Sequence, residues 1–398
     1  MICMEIAAAR EVPSRLRFVE LAHACGFALA GVAPARPLDD FGEYERWVSD
    51  GLAGPLGYLT DHRMAIRANP RQLLASARSV LCLGMLYNTE VTEPRPSGSA
   101  SMDASTPARF SPVPRHTTDT APLRSRLRYG IVSRYAWGAG DYHDILRERL
   151  ETLAKRLQAH WGEFEYRVCV DTAPLLERSY ARAAGLGWIG RNTCLINEPL
   201  GSWFFLGEIL ISIELPPDSP PPDRCGSCMR CVDACPTQAL VPAAGTNPEQ
   251  YRLDARLCIS TLTIEQKGPA PEATRQQTGS HLFGCDICQE VCPWNRRSPV
   301  TGEPAFQPLY PHLDLSEAAA LTSQEFRRRF RHTPVWRAKF EGWIRNVATA
   351  MGNSGDPVCI EPLRALARSD DPGISAHANW ALRRLEGPDG GPDQKVQA

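Results

Sequence analysis

The chain has 398 residues, 43% of them hydrophobic, enough for two or three domains with ample cores. Forty-four Lys and Arg face forty-five Asp and Glu, a formal charge of −1, so no global field draws in a polyanion and any nucleic-acid contact must be local. No apolar run approaches the roughly 20 residues that span a bilayer, and Met1 to Ile6 carries neither a basic region nor a twin-arginine signal. The chain is therefore expected in the cytoplasm, away from membranes.

Ser14 to Cys25 reads as an amphipathic helix, Ala28 to Ala33 as a short buried strand and Phe41 to Asp50 as a second helix. Glycines and a proline make Gly51 to Tyr58 a loop. A short helix over Pro70 to Ala77 then leads into an apolar strand, Ser79 to Leu86. This is α/β patterning. From about Glu90 to Leu123 the composition shifts to Pro, Ser, Thr and Ala with almost no large apolar residues, which predicts a poorly ordered insertion. The pattern resumes at Tyr129, with a helix from Tyr142 to about His160 and a strand from Glu165 to Val170, so the α/β domain is split, not ended.

Asp171-Thr-Ala-Pro174 is expected to open a helix running to Ala184, with Pro174 in its first turn and Asp171 or Thr172 as N-cap. Asp171 is either that cap or a catalytic carboxylate, because α/β folds often place chemistry at strand ends. Gly185-Leu-Gly-Trp-Ile-Gly190 mimics a dinucleotide fingerprint but follows a helix instead of a strand, so it fails the context that motif requires. Ser202 to Ile213 is a further buried strand, and the prolines from Pro216 to Pro222 form a stiff linker.

Beyond the linker stands Cys225-x2-Cys228-x2-Cys231-x3-Cys235-Pro236, the spacing of a bacterial [4Fe-4S] ferredoxin. The second run, Cys285-x2-Cys288-x3-Cys292-Pro293, has Leu282 where a repeat would carry cysteine, and Cys258 is the natural replacement. Crossing the ligands as two-cluster ferredoxins do gives Cys225, Cys228, Cys231 and Cys292 on one cube, and Cys235, Cys258, Cys285 and Cys288 on the other. Zinc or disulfides are the bland alternatives. The other six of the fourteen cysteines are scattered, as suits buried thiols in a reducing compartment.

After Trp294, Trp343 to Met351, Ile360 to Ala367 and Ile374 to Leu385 read as short amphipathic helices with Asp-Pro turns, in the manner of one or two HEAT-like units. Basic patches occur at Arg124 to Arg128, Arg296-Arg297 and Arg327 to His332; such runs are in general simply solvated faces.

Taken in order, Arg67-Ala-Asn-Pro70, Arg134-Tyr-Ala-Trp-Gly138, Asp141-Tyr-His143, Val170-Asp-Thr172, Gly185 to Asn192, Gly201-Ser-Trp203, the cysteine set and Leu262 to Gly268 resemble the epoxyqueuosine reductase family over about residues 12 to 385. The resemblance implies an α+β multidomain chain. Residues 1–215 would be a nitroreductase-like α/β cobalamin-binding domain, 216–300 a two-cluster bacterial ferredoxin-like domain, 301–386 a HEAT-like α-helical domain and 387–398 a disordered tail. It implies reduction of epoxyqueuosine to queuosine at the tRNA wobble position by a monomer fed by an external low-potential electron donor. The cofactors would be base-off cobalamin and two [4Fe-4S] clusters. Asp141-Tyr-His143 is followed by Leu146 where a cobalt-ligating Asp-x-His-x-x-Gly motif needs glycine, so no histidine of that motif is expected on cobalt. Asp171 matches the family's proton donor, a role that requires it protonated, as burial against the corrin would favour. Arg67, Ser133, Asn192, Ser202 and Arg191 align with corrin contacts, and Lys267 with Arg327, Arg328, Arg329 and Arg331 would meet tRNA phosphates. The chemistry is coherent, because removing an epoxide oxygen to leave an alkene needs a strong two-electron nucleophile, whereas iron-sulfur cubes deliver electrons singly. A reductive dehalogenase or a simple electron carrier are the rival readings; the first would lack the helical tail, and the second leaves most of the chain unexplained.

Overall fold

Seven strands organise the amino-terminal half: β1 (Leu29–Pro34), β2 (Ser79–Leu86), β3 (Tyr129–Val132), β4 (Tyr166–Cys169), β5 (Trp188–Ile189), β6 (Leu195–Ile196) and β7 (Phe204–Ile211). The structure, a computed structural model, describes residues 11–90, 128–243 and 250–387. The expected insertion therefore falls, from residue 91 on, outside the described residues, as do most of the Arg124 to Arg128 patch and the tail from 388.

The main sheet has the order β1-β2-β7-β4, with every neighbouring pair antiparallel. Both of its faces are covered, so β2 and β7 are almost wholly apolar, with Glu208 the one charged side chain in them. Leu81, Leu83, Phe205 and Ile209 face helices α1 (Arg15–Ala24) and α3 (Tyr142–Trp161), with α2 (Asp40–Ser49) between them in the chain. On α3, Leu146, Leu150, Leu153 and Leu157 recur at helical spacing and are wholly buried. Truncating Leu150 to Ala is expected to cost about 2–5 kcal/mol. Val80, Leu206 and Leu210 face the other way, against Tyr180 and Ala181 of α4 (Glu177–Ala183).

Two local expectations are corrected. Pro70 to Ala77 is not a helix; only Pro70–Gln72 forms a 3-10 turn, capped by the Asn69 side chain. The helix expected from Asp171 starts at Glu177, without a side-chain cap, because Asp171 takes φ +39° and the chain turns again before it can coil. The glycine-rich run after α4 forms the β5–β6 hairpin. A Cβ on Gly187 would lie 2.2 Å from the Ile196 carbonyl oxygen, so the glycine permits that close pairing.

Strand β3, where pattern resumes, joins a different sheet. It pairs in parallel with His281–Phe283 and antiparallel with His312–Asp314. One small sheet thus ties the amino-terminal half, the cysteine-bearing segment and the carboxy-terminal helices together. Those helices include Ser323–Phe330, with a Thr322/Glu325 capping box, and Lys339–Ser354, which packs on Pro372–Glu386 so closely that a Cβ on Gly352 would lie 2.6 Å from Ala381 Cβ. Arg345, 2% exposed, donates to the carbonyls of Leu262, Gln266 and Gly268 and fixes the segment between Cys258 and the helices. No helix among the described residues is long and apolar enough to cross a membrane.

Candidate active site and cluster centres

Asp171 follows β4 in the left-handed region, which costs a non-glycine residue about 1 kcal/mol or more and persists only where surrounding contacts enforce it. Those contacts are present. Its Oδ2 lies 2.9 Å from His143 Nε2, and His143 Nδ1 lies 2.6 Å from Asp141 Oδ1. Asp141 is also the N-cap of α3, accepting from the His143 backbone N–H. Tyr142 and Glu177 are further polar neighbours of Asp171. The Tyr142 ring stacks between His143 and Phe205, at centroid distances of 4.0 and 4.2 Å, which locks the dyad to the sheet.

These contacts set where protons sit. Desolvation pushes the His143 imidazole down, but hydrogen bonds and charge from Asp141 and Asp171 outweigh it and lift it to about 9. Desolvation pushes the Asp171 carboxyl up, yet His143, Arg337 and Tyr142 together pull it below the usual carboxylate range. Two acceptors bracket the His143 ring, so the proton of the pair lies on His143 and Asp171 is its anion.

Asp171 opens onto a cavity of about 330 Å³ whose walls come from distant parts of the chain: Tyr58, Tyr142 and His143 on one side, Glu265, Trp336 and Arg337 on the other. Arg337 pairs with Glu265 and lies 5.2 Å above the Tyr58 ring. Sequence reasoning missed Tyr58, Trp336 and Arg337, for which no local signal exists; Glu265 lies inside the quoted Leu262 to Gly268 motif. The basic run enters here as well. Arg327, Arg328 and Arg331 are exposed beside Arg329 on and just after the Ser323–Phe330 helix, whose chain continues directly into the wall at Pro334 to Arg337, and exposed Lys267 lies two residues after the lining residue Glu265.

The cysteines gather in two groups. The Cys231 thiol faces Cys225, Cys292 and Cys228, and these four line a second cavity of about 320 Å³. Cys285 faces Cys258 and Cys235, and Cys288 faces Cys285 and Cys258. None of the described cysteines is in a disulfide. Among the described residues no three His, Cys, Asp or Glu converge closely enough for a single metal ion; four thiols spread around an open volume suit the corners of a cube instead. Cys194, not singled out in sequence, lies beside Cys288.

The residues aligned with corrin contacts divide. Arg67 is 5% exposed, donates to the Tyr58 carbonyl through Nη2 and keeps Nη1 buried without a hydrogen-bond partner. The other four bond to the cysteine-bearing segment. Ser133 donates to Asp286, Arg191 to the Cys228 carbonyl at 2.8 Å and Asn192 to the Cys288 carbonyl at 3.4 Å. Ser202 accepts from Gln289 and Asn295 through its hydroxyl, beside Gly201, whose positive φ and missing Cβ admit Asn295. These side chains hold the two cysteine groups against the catalytic half.

Residues 67–172 match the family profile described as epoxyqueuosine reductase QueG, and residues 224–295 match the 4Fe-4S double cluster binding domain. The epoxyqueuosine reductase of Xanthomonas campestris pv. campestris is 38% identical over 370 residues, covering 92% of this chain and 94% of its own. A crystal structure of epoxyqueuosine reductase with a tRNA-Tyr epoxyqueuosine-modified tRNA stem loop superposes with a TM-score of 0.76 at 30% identity, covering 94% of this chain and 90% of that one. The Bacillus subtilis epoxyqueuosine reductase superposes with a TM-score of 0.75 at 30% identity, covering 94% and 91%; that structure has its catalytic aspartate loop swung out of the active site.

Proposed function

The chain belongs to the epoxyqueuosine reductase family, whose members are oxidoreductases, and we propose that it reduces epoxyqueuosine to queuosine at the wobble position of tRNA, the last step of queuosine biosynthesis. The observation that carries this reading is the position of Asp171 and His143 at the floor of a cavity walled on its far side by the segment that continues a run of four arginines. A modified base splayed from a loop can enter such a cavity while the flanking phosphates meet Arg327, Arg328, Arg329, Arg331 and Lys267.

The electron path is proposed from the cysteine groups. Cys225, Cys228, Cys231 and Cys292 would hold one [4Fe-4S] cube, and Cys235, Cys258, Cys285 and Cys288 the other, receiving electrons from an external low-potential donor. The nitroreductase-like reading of residues 1–215 and the HEAT-like reading of 301–386 belong to the same proposal. Base-off cobalamin fits Arg67, whose buried Nη1 needs an acceptor. Bound there, it would supply the two-electron nucleophile that opening an epoxide requires. With both His143 nitrogens engaged by carboxylates, that ring is not free to ligate cobalt.

The protein's own contribution is the proton. In the open site Asp171 and His143 form an ion pair. Substrate seated over the cavity strips water from Asp171, and a drier site favours the neutral pair, with the proton on Asp171. There it is aimed at the departing oxygen, as general acid catalysis requires. His143, itself stacked on Tyr142, holds Asp171 in this orientation.

Mass spectrometry of tRNA nucleosides from a strain lacking this gene tests the assignment. Accumulated epoxyqueuosine supports it; unchanged queuosine counts against it.

A further inference from the structure

Trp188 opens β5 within the glycine-rich run Gly185 to Gly190 and pairs with Ile196 of β6. A Cβ on Gly187 would meet the Ile196 carbonyl oxygen at 2.2 Å and one on Gly190 the Ile196 Cδ1 at 2.4 Å, so the two glycines let the hairpin that carries the indole close tightly. Trp188 is 2% exposed and forms one packed cluster with Ile196 and Cys292, against which Cys225 and Trp294 lie. Trp294 meets it edge-on, with ring centroids 5.1 Å apart.

Apolar packing accounts for the rings of the indole. It does not account for the Nε1–H, which is buried and has no oxygen or nitrogen acceptor among the described residues. Burying an unpaired donor is unfavourable, and phenylalanine would fill a purely apolar site without that penalty. The acceptor within reach is the sulfur of Cys225, one of the four thiols around the first cysteine cavity. A neutral thiol accepts weakly, whereas a thiolate on iron is anionic and accepts well.

We propose that the Trp188 indole N–H donates to the Cys225 thiolate of the first cube and thereby raises that cube's reduction potential. This rests on the reading of Cys225, Cys228, Cys231 and Cys292 as the ligands of one [4Fe-4S] cube. Reduction moves one electron from the external donor to a cluster that its four thiolates already make anionic; no bond breaks and no proton is taken up. A donor aimed at sulfur stabilises the more negative state more, so the cube holds its electron more firmly. The influence is confined to one cube. Cys258 of the other group precedes the helix Ile259–Ile264, whose Ser260, Thr261 and Ile264 line the Asp171 cavity, and none of that group's four thiols belongs to the Trp188 cluster. The cavity of the first group shares no lining residue with the Asp171 cavity. Trp188 therefore acts on the uptake of electrons and not on the reacting atoms.

Trp188→Phe keeps the apolar packing and removes the donor. Potentiometric titration of the full-length protein with both cubes loaded, followed by electron paramagnetic resonance, should resolve two couples in the wild type. In Trp188→Phe the reduced-to-oxidised ratio of one couple should fall about tenfold at the same applied potential, a shift of about 59 mV to more negative values for one electron, and the other couple should stay in place. An indole kept for bulk alone would leave both couples unmoved. A second readout needs no change at Trp188: in wild-type protein carrying tryptophan labelled with the heavy nitrogen isotope at the indole, pulsed resonance on the reduced cubes should detect a weak coupling to that nitrogen. The coupling should persist in labelled Trp294→Phe, which removes the neighbouring indole. Unmoved couples in an iron-replete Trp188→Phe, no coupling in the labelled wild type, or a coupling that vanishes in Trp294→Phe overturns the assignment. If the wild type takes up no iron-sulfur cluster, the two-cube reading fails with it; if both cubes are present and neither readout responds, only the role of Trp188 fails.

Discussion

His143 stands between two carboxylates, with Nε2 2.9 Å from Asp171 Oδ2 and Nδ1 2.6 Å from Asp141 Oδ1. Asp141 caps α3 and Asp171 ends β4, so the helix and the sheet each bring one acceptor to the same ring. The bracket keeps both ring nitrogens protonated and the imidazole charged, and so sets the direction in which a proton can pass to Asp171.

If Asp171 delivers the proton, Asp171→Ala should lower turnover by about 100- to 10,000-fold while iron content and cobalamin binding stay at wild-type levels. Turnover near normal, with those contents unchanged, removes the residue from the mechanism.

The charge on His143 has a pH signature. Its folded value, lifted to about 9, exceeds the ordinary histidine value, so the stabilisation it confers is fully present below about pH 6.5 and is lost as pH rises through about 9. The melting-temperature gap between wild type and His143→Gln should therefore be widest below pH ~6.5 and should close above pH ~9. A gap that widens with rising pH contradicts the bracket.

Cluster loss should be selective. Cys258→Ala should leave about four of about eight irons and the spectrum of a single [4Fe-4S] cluster, and Cys292→Ala should do the same for the other cube. Iron analysis with electron paramagnetic resonance reads both variants. Retention of all iron in Cys258→Ala would falsify its place in the second group.

Replacing Arg327, Arg328 and Arg331 with Ala should weaken tRNA binding for all anticodon-loop sequences alike. The salt slope of binding should fall by about 0.7–0.9 for each phosphate that is no longer neutralised. Binding measured from low to moderate salt gives the slope; an unchanged slope means that these arginines face solvent only.

What the sequence could and could not reveal follows from the range of the interactions. The double-cluster segment was legible because the Cys225 to Cys235 spacing lies within a few residues of sequence, and Cys258, 27 residues before Cys285, stands with Cys235 beside that thiol. Asp171 stood out at the end of a strand, yet its reading as a helix cap failed, because a left-handed φ enforced by His143 is a tertiary property. Arg337 reaches the cavity through the packing of the carboxy-terminal helices, which leaves no mark near Asp171. Ser133, Arg191, Asn192 and Ser202 turn toward the cysteine-bearing segment, a destination set by how the two halves dock and by no local pattern.

The most direct test is reduction by the purified protein itself. With both clusters and cobalamin loaded, and a low-potential chemical reductant, incubation with epoxyqueuosine-modified tRNA followed by nucleoside mass spectrometry should show the modified nucleoside losing the mass of one oxygen atom, and Asp171→Ala should leave it unchanged. A wild-type protein, fully loaded and reduced, that leaves the nucleoside mass unaltered would contradict the account.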